Sequence, residues 1–229
     1  MAKHRQQSVL RYPLTVILGS VANVRTLREL VRHGGELSAP SLVKRTGLAK
    51  ASVRQALQIL ETMKIVETLG AERSRLFRVQ RKHPLAAALD ELFQEEERRF
   101  EAVLSAIRVA TDRCVGLTAA WLYGSVARGE DREASDVDVA VVGEPEAIPL
   151  IEQTLREALA EAEERLAFRA SVVAIDTRDV LRLAAENDRW WTGLADASLG
   201  IVGDPPDVLL ERLKRQRNTG RNADRRRAS

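Results

Sequence analysis

The chain has 229 residues, 45% of them hydrophobic and 30% charged, a balance that suits one large or two modest globular domains. Its apolar runs fall short of the roughly 18 residues a membrane helix needs, and residues 1–7 lack the apolar core of a signal peptide. A single cysteine excludes an intrachain disulfide and a cysteine-paired zinc site, so a cytoplasmic protein with no membrane partner is expected. The net charge of +3 conceals an asymmetry: residues 1–83 carry 16 Lys/Arg against 5 acids, residues 84–211 carry 12 against 27, and residues 212–229 carry 8 against 1. A strongly basic first third suits a polyanion partner, because neutralising phosphates releases condensed counterions, whereas the acidic middle repels one.

The first predicted helix starts at Val21, repeats apolar residues at Val24, Leu27, Leu30 and Val31, and stops at His33-Gly34-Gly35. Ser38 is placed to cap a short second helix holding Leu42 and Val43, and Thr46-Gly47 turns the chain. A third helix over 50–63 buries Val53, Ala56, Leu57 and Leu60, followed by β-prone runs at 65–69 and 75–79. Three helices and a hairpin follow the order of a winged helix-turn-helix. Residues 45–53 (RTGLAKASV) resemble the turn and recognition helix of bacterial winged-helix transcription regulators. Ala49 stands where that family often has a capping serine, which implies a weaker cap. Lys50, Ser52, Arg54, Gln55 and Gln58 fall away from the apolar stripe and are of types that reach base edges and phosphates of double-stranded DNA; Arg73 and Arg75 occupy the hairpin tip. A winged helix serving only protein contacts is the alternative.

Beyond Pro84, one long helix over 85–112 carries an apolar stripe of Leu85, Leu89, Leu92, Phe93, Phe100, Val103, Leu104 and Ile107, with residues 95–99 (EEERR) facing water. Such a helix either spaces two domains or pairs with its copy in a homodimer.

Next, the apolar run ending at Leu122-Tyr123 breaks at Gly124-Ser125, and Asp136 and Asp138 stand two apart at the head of a second apolar run. In a strand, residues i and i+2 share a face, so these carboxylates project together. Paired hard oxygen ligands suit Mg²⁺ (or Mn²⁺), and a glycine before a helix start lets the backbone approach an anion closely. The pattern of Gly124, Ser125, Ala127, Arg128, Gly129, then Ser135, Asp136, Asp138, resembles the signature of the DNA polymerase beta superfamily of nucleotidyltransferases in its minimal bacterial form. The resemblance implies Asp136 and Asp138 as catalytic metal ligands, with Gly124 and Ser125 holding a nucleoside triphosphate. Arg128 either assists at the phosphate or braces its own loop.

A helix over 146–166, a buried strand over 169–175, helices near 177–186 and 189–198, a short strand over 199–202 and a helix after Pro205-Pro206 complete the pattern. Enzymes of the resembled family place a third carboxylate on the later strand. Setting this strand in register with that family's pattern puts Ser171 there, and Asp176, five residues on, falls by period-two alternation on the opposite face. Serine is a weak ligand and no base at neutral pH, so retention of catalysis is the open question. The polar tail from Gln216 is expected to be disordered.

The expected fold is therefore α+β with two domains: a winged helix-turn-helix over 1–83, a connecting helix over 84–113, a polymerase-beta-like nucleotidyltransferase over 114–215 with a mixed sheet flanked by helices, and a basic tail over 216–229. The leading functional expectation is transfer of a nucleotide to a protein or RNA acceptor, coupled to DNA binding. The alternatives are a transcriptional regulator whose degenerate nucleotidyltransferase domain senses a nucleotide, and a toxin–antitoxin component.

Overall fold

The computed structural model describes residues 8–71 and 74–227, with side chains through residue 219, so Arg73 and residues 1–7 lie outside the described part. The chain divides into two compact units, Met1–Arg98 and Arg99–Ser229.

In the first unit the elements run α1 (Leu14–Ile17), α2 (Val21–His33), β1 (Leu37–Ser38), α3 (Ala39–Thr46), α4 (Lys50–Thr62), β2 (Val66–Leu69) and β3 (Leu76–Val79). Capping chemistry sets these boundaries. The Ser20 side chain accepts from Asn23 N–H at the head of α2, and Ser38 accepts from Ser41 N–H at the head of α3. Gly34 and Gly47 end those helices in the left-handed conformation, at φ 69° and 67°. Ala49 supplies no side-chain bond to α4, as its chemistry dictates, forgoing about 1 kcal/mol that a serine would add. The strands pair antiparallel in the order β1-β3-β2, over a core of Leu27, Leu30, Leu42, Val53, Leu57, Leu60, Ile65 and Phe77. α1 and β1 were not anticipated; at four and two residues they are too short to show a period.

α5 (Ala86–Thr111) serves both units: Ala86, Leu89 and Phe93 enter the first core, and Val103, Ile107 and Ala110 the second. The expected continuous stripe is interrupted, because Leu92 and Phe100 are 49% and 39% exposed. The charged segment between them does more than face water. Arg28 of α2 donates from Nε to Glu96 at 2.6 Å and stacks over Phe93, and Arg32 pairs with Glu97.

The second unit continues with β4 (Leu117–Tyr123), α6 (Gly124–Arg128), β5 (Val137–Gly143), a 3-10 turn at Pro145–Ala147, α7 (Ile148–Leu166), β6 (Ala170–Asp176), α8 (Thr177–Ala185), α9 (Arg189–Ala197), β7 (Leu199–Val202) and α10 (Pro206–Arg227). Its sheet has the order β6-β5-β4-β7, with β4 antiparallel to β5 and β7, and β5 parallel to β6. A parallel pair needs a long crossover, and α7 supplies it. One face buries Ala120, Leu122, Val139 and Val141 with α5 and α7. The other buries Ala119, Trp121, Ala140 and Val142 with α8, α9 and α10, where Trp121 Nε1 donates to the Asp204 carbonyl at 2.9 Å. The molecule thus has a mixed α+β architecture.

Three expectations need correction here. β6 is not a buried strand: all seven of its residues are only half-buried, since it forms the sheet edge. Asp136 lies just ahead of β5, which begins at Val137. The tail is helical rather than disordered, because α10 runs on to Arg227. Leu209 and Leu213 anchor its start in the core, and no proline interrupts the helix up to Arg227. Among the described residues no helix is long and apolar enough to cross a membrane.

Candidate functional site

β4 and β5 are antiparallel neighbours, and their register sets Tyr123 opposite Asp138. The parallel register of β5 and β6 sets Ser171 opposite Asp138 on the other side. Alternation then puts Tyr123, Asp138 and Ser171 on the sheet face that α8 and α9 cover.

Gly124 follows Tyr123 directly and takes φ +74°. A Cβ built on Gly124 would stand 2.1 Å from Asp138 Oδ2, so the carboxylate occupies the space that any side chain would need. Two demands therefore meet at this glycine: a left-handed backbone, and close approach of an acid. Ser125 opens α6 behind it. Gly129, at φ +67°, ends that short helix, and Glu130 N–H returns to the Ser125 carbonyl at 2.9 Å. The loop that follows closes on itself: Ser135 Oγ accepts from Arg132 N–H at 2.9 Å, and Ser135 N–H donates back to the Arg132 carbonyl. That closure delivers Asp136 to the edge of β5.

The electrostatics follow from this packing. Partial burial pushes the Asp138 carboxyl above the usual aspartate range, and the charge of Asp136 pushes the same way. The hydrogen bond offered by the Ser171 hydroxyl and the charge of Arg128 pull it back. Two acids at this spot repel each other, and a cation would relieve that repulsion. Arg128 is engaged locally as well, donating from Nε to Glu130 at 2.8 Å. It therefore braces its own loop while its charge reaches Asp138.

Asp176 is elsewhere and otherwise occupied. It pairs with Gly143 in register, at the far end of β6 from Ser171. Its carboxylate caps α8, accepting from Arg178 and Asp179 N–H at 2.7 and 2.8 Å, and Asp179 reaches back to the Asp176 N–H to complete a capping box. Among the described residues no three His, Cys, Asp or Glu side chains gather as a metal site.

Sequence reasoning missed Tyr123 and Trp190. Trp190, in the first turn of α9, meets Tyr123 edge-to-face with ring centroids 5.6 Å apart. Burial raises the Tyr123 phenol above its ordinary value; Trp190 offers it a hydrogen bond that works against the rise, and the Asp138 charge adds to it. The signal available was the aromatic residue immediately preceding Gly124.

In the first unit, Lys50, Arg54 and Gln58 recur at four-residue spacing along α4 and line one groove of about 1020 Å³. Ser38, Pro40 and Val43 form one wall of this groove, and Ser74, Arg75 and Leu76 at the hairpin form another. Ser52 and Gln55 do not join them; they line a separate pocket of about 350 Å³ with Thr15, Gly19 and Asn23. The five polar positions of α4 thus serve two surfaces. Arg73 lies outside the described residues.

Residues 108–187 match the family model described as "Polymerase beta, Nucleotidyltransferase", and this stretch is a nucleotidyltransferase-like domain. No curated protein matches the chain. Among solved structures the chain is similar to a toxin–antitoxin determined with AMP-PNP, at 16% identity over 56% of this chain and 93% of that one, with a TM-score of 0.32. It is also similar to an ArsR-like transcriptional regulator from Rhodococcus sp. RHA1, at 24% identity over 42% of this chain and 93% of that one, with a TM-score of 0.29. A third similarity, to NadR in complex with 4-hydroxyphenylacetate, has 20% identity over 46% and 83% of the two chains and a TM-score of 0.32.

Proposed function

We propose that the second unit binds a nucleoside triphosphate with Mg²⁺ or Mn²⁺ and transfers its nucleotide to a hydroxyl acceptor on protein or RNA, while the first unit is a winged helix-turn-helix that binds double-stranded DNA. The observation that carries the first half is the fit of the Asp138 carboxylate into the space left by Gly124, beside Asp136. Hard oxygen donors that repel each other match a small divalent cation. Asp136 and Asp138 would hold that ion, and when bound it neutralises charge on the triphosphate. Gly124 and Ser125 present backbone at the turn where the phosphates lie. The acceptor oxygen forms a bond to the α-phosphorus as its proton passes to solvent, the bond from that phosphorus to the bridging oxygen breaks, and pyrophosphate leaves with that oxygen.

Ser171 favours a second reading. It occupies the place beside Asp138 where an acid would accept the acceptor's proton, and Asp176 is committed to capping α8. Losing a positioned proton acceptor costs roughly 10²–10⁴ in rate. Nucleotide binding survives that loss, so the same geometry suits a DNA-binding regulator that senses nucleotide with slow or no turnover. Binding to DNA is supported by the groove that joins Lys50, Arg54 and Gln58 to Arg75, and by the basic first third of the chain.

Calorimetry with nucleoside triphosphates, with and without Mg²⁺, tests the site. The parent protein should bind only with the metal, and the Asp136→Ala/Asp138→Ala variant should not bind. Equal affinity in both proteins refutes the metal role. Labelled nucleotide incubated with a cell lysate then separates transfer from sensing: a labelled macromolecule supports transfer, and retention without transfer supports the sensor.

A further inference from the structure

α9 begins with two adjacent tryptophans whose surroundings differ. The Asp188 carboxylate accepts from both Trp190 and Trp191 N–H, at 2.9 and 3.1 Å, and so fixes the first turn. Consecutive helix residues point about 100° apart, so the two indoles diverge. Trp191 is 5% exposed and packs edge-to-face on the fully buried Trp121, a core role. Trp190 is only half-buried and reaches Tyr123, the residue paired in register with Asp138.

The manner of that contact matters. The rings of Trp190 and Tyr123 are 86° apart, an edge-to-face arrangement. A T-shaped contact engages at most one face of an indole and leaves the other uncommitted by that contact. Trp190 lies at the margin of the core that holds Trp121 and Trp191, packed against it and half-buried rather than enclosed. What remains is an amphipathic aromatic surface, partly open, one residue across the ladder from a carboxylate pair.

We infer that Trp190 is the nucleobase subsite of this domain, a stacking platform for a purine nucleoside triphosphate whose phosphates lie at Gly124 and Ser125. The inference rests on the nucleotide reading proposed above. Stacking uses the π-face that every base has, and the larger purine ring system covers more of the indole, so the subsite favours purines over pyrimidines by area rather than by hydrogen-bond readout. Tyr123 then has a positioning role: it holds the indole edge and links the orientation of the base platform to the strand that carries Asp138.

Titration of the full chain with Mg²⁺ and ATP, and separately with Mg²⁺ and CTP, tests this by tryptophan emission and calorimetry together. In the parent protein, ATP should quench emission strongly and CTP weakly. Trp190→Phe should abolish the quench, because Trp121 and Trp191 are shielded in the core, while keeping most of the affinity. Trp190→Ala should weaken ATP binding by about 5- to 150-fold, the range that base–aromatic stacking supplies, and CTP binding by less. A quench that persists in Trp190→Phe, or equal ATP affinity in the parent and Trp190→Ala, overturns the subsite and leaves the nucleotide reading intact. No calorimetric binding of any triphosphate to the parent overturns both. The phenylalanine variant keeps an aromatic ring in the same packing, so the test stands even where the alanine variant fails to fold.

Discussion

Gly124→Ala probes the site at its tightest point. A Cβ there lies 2.1 Å from Asp138 Oδ2, 3.0 Å from its Cγ and 3.3 Å from its Cβ, whereas ordinary contact begins at 3.4 Å. The carboxylate oxygen must therefore retreat by about 1.3 Å (3.4 − 2.1). Rotation of the side chain moves that oxygen away from the turn, but the stem at 3.3 Å is tight too, so rotation alone does not restore the parent position. The backbone adds its own strain, because φ of +74° costs an alanine about 1–2 kcal/mol. For a domain of this size that lowers the melting midpoint by roughly 3–12 °C. Metal ligands must sit within about 0.2 Å of their place, so a shift several times larger takes Asp138 out of a shared cation site. Nucleotide affinity in the presence of Mg²⁺ should then drop on the order of 10- to 100-fold, the loss seen when support of a ligand is removed. Calorimetry and a melting curve on the same preparation read the two effects separately. A lower midpoint with parent-like Mg²⁺-dependent affinity would show that the close approach serves packing alone. An unchanged midpoint would refute the strain argument.

Asp138→Asn should raise the melting midpoint of the metal-free protein near pH 7. The folded-state pKa of Asp138 lies above its unfolded value, so the ionised acid opposes folding above the folded pKa, and the penalty vanishes below the unfolded value, where both states are protonated. A gain that grows on acidification contradicts this. Ser171→Asp should tighten Mg²⁺ binding and raise any transfer activity, whereas Asp176→Ala should cost α8 about 1 kcal/mol and leave cation affinity unchanged; the opposite pattern would make Asp176 the third acid. On DNA, Arg54→Ala should relax sequence preference, and Arg75→Ala should weaken binding to all sequences alike with a shallower salt dependence. Absence of any mobility shift by the full chain at low salt, over a panel of genomic fragments, sinks the DNA reading in favour of protein contacts.

The parts legible in the sequence are those governed by local rules. Gly34 and Gly47 stop helices because they take the left-handed conformation at low cost, and Ser38 starts one because orphan amides need an acceptor. The contact of Gly124 with Asp138 was not legible, because the connection between β4 and β5 runs through α6 and a further loop, and the antiparallel register that pairs Tyr123 with Asp138 is what brings them together. The resemblance puts Ser171 at the position facing the aspartates, and the parallel register of β5 and β6 pairs it with Asp138. Trp190 was not legible, because α9 arrives at Tyr123 from far along the chain and nothing local marks which of two adjacent tryptophans meets that ring. The split of the α4 positions was hidden for a related reason. Periodicity says that Ser52 and Gln55 leave the core stripe, but only the short helix α1, itself too brief to predict, makes a separate pocket for them. The edge position of β6 is likewise a property of strand order, which its apolar run does not encode.

A site with two acids and a serine has a physical logic that differs from a depleted three-acid site. Asp138 already titrates high because it is partly buried and Asp136 is near. A third carboxylate at position 171 would add a further like charge to that place and make the metal-free protein less stable still. With serine there, the neutral hydroxyl supports the ionised form of Asp138 at no cost in charge. Mg²⁺ is commonly held by one or two carboxylates together with the phosphates of its nucleotide, so two protein acids suffice when the metal arrives as the nucleotide complex. On this reasoning the metal alone should bind weakly and the nucleotide alone should bind weakly, while each strengthens the other by the same factor, as linkage requires. Separate titrations of Mg²⁺, of nucleotide and of the two together measure that factor. Tight binding of Mg²⁺ in the absence of nucleotide would show that the protein supplies more ligands than Asp136, Asp138 and Ser171, and would contradict the two-acid account.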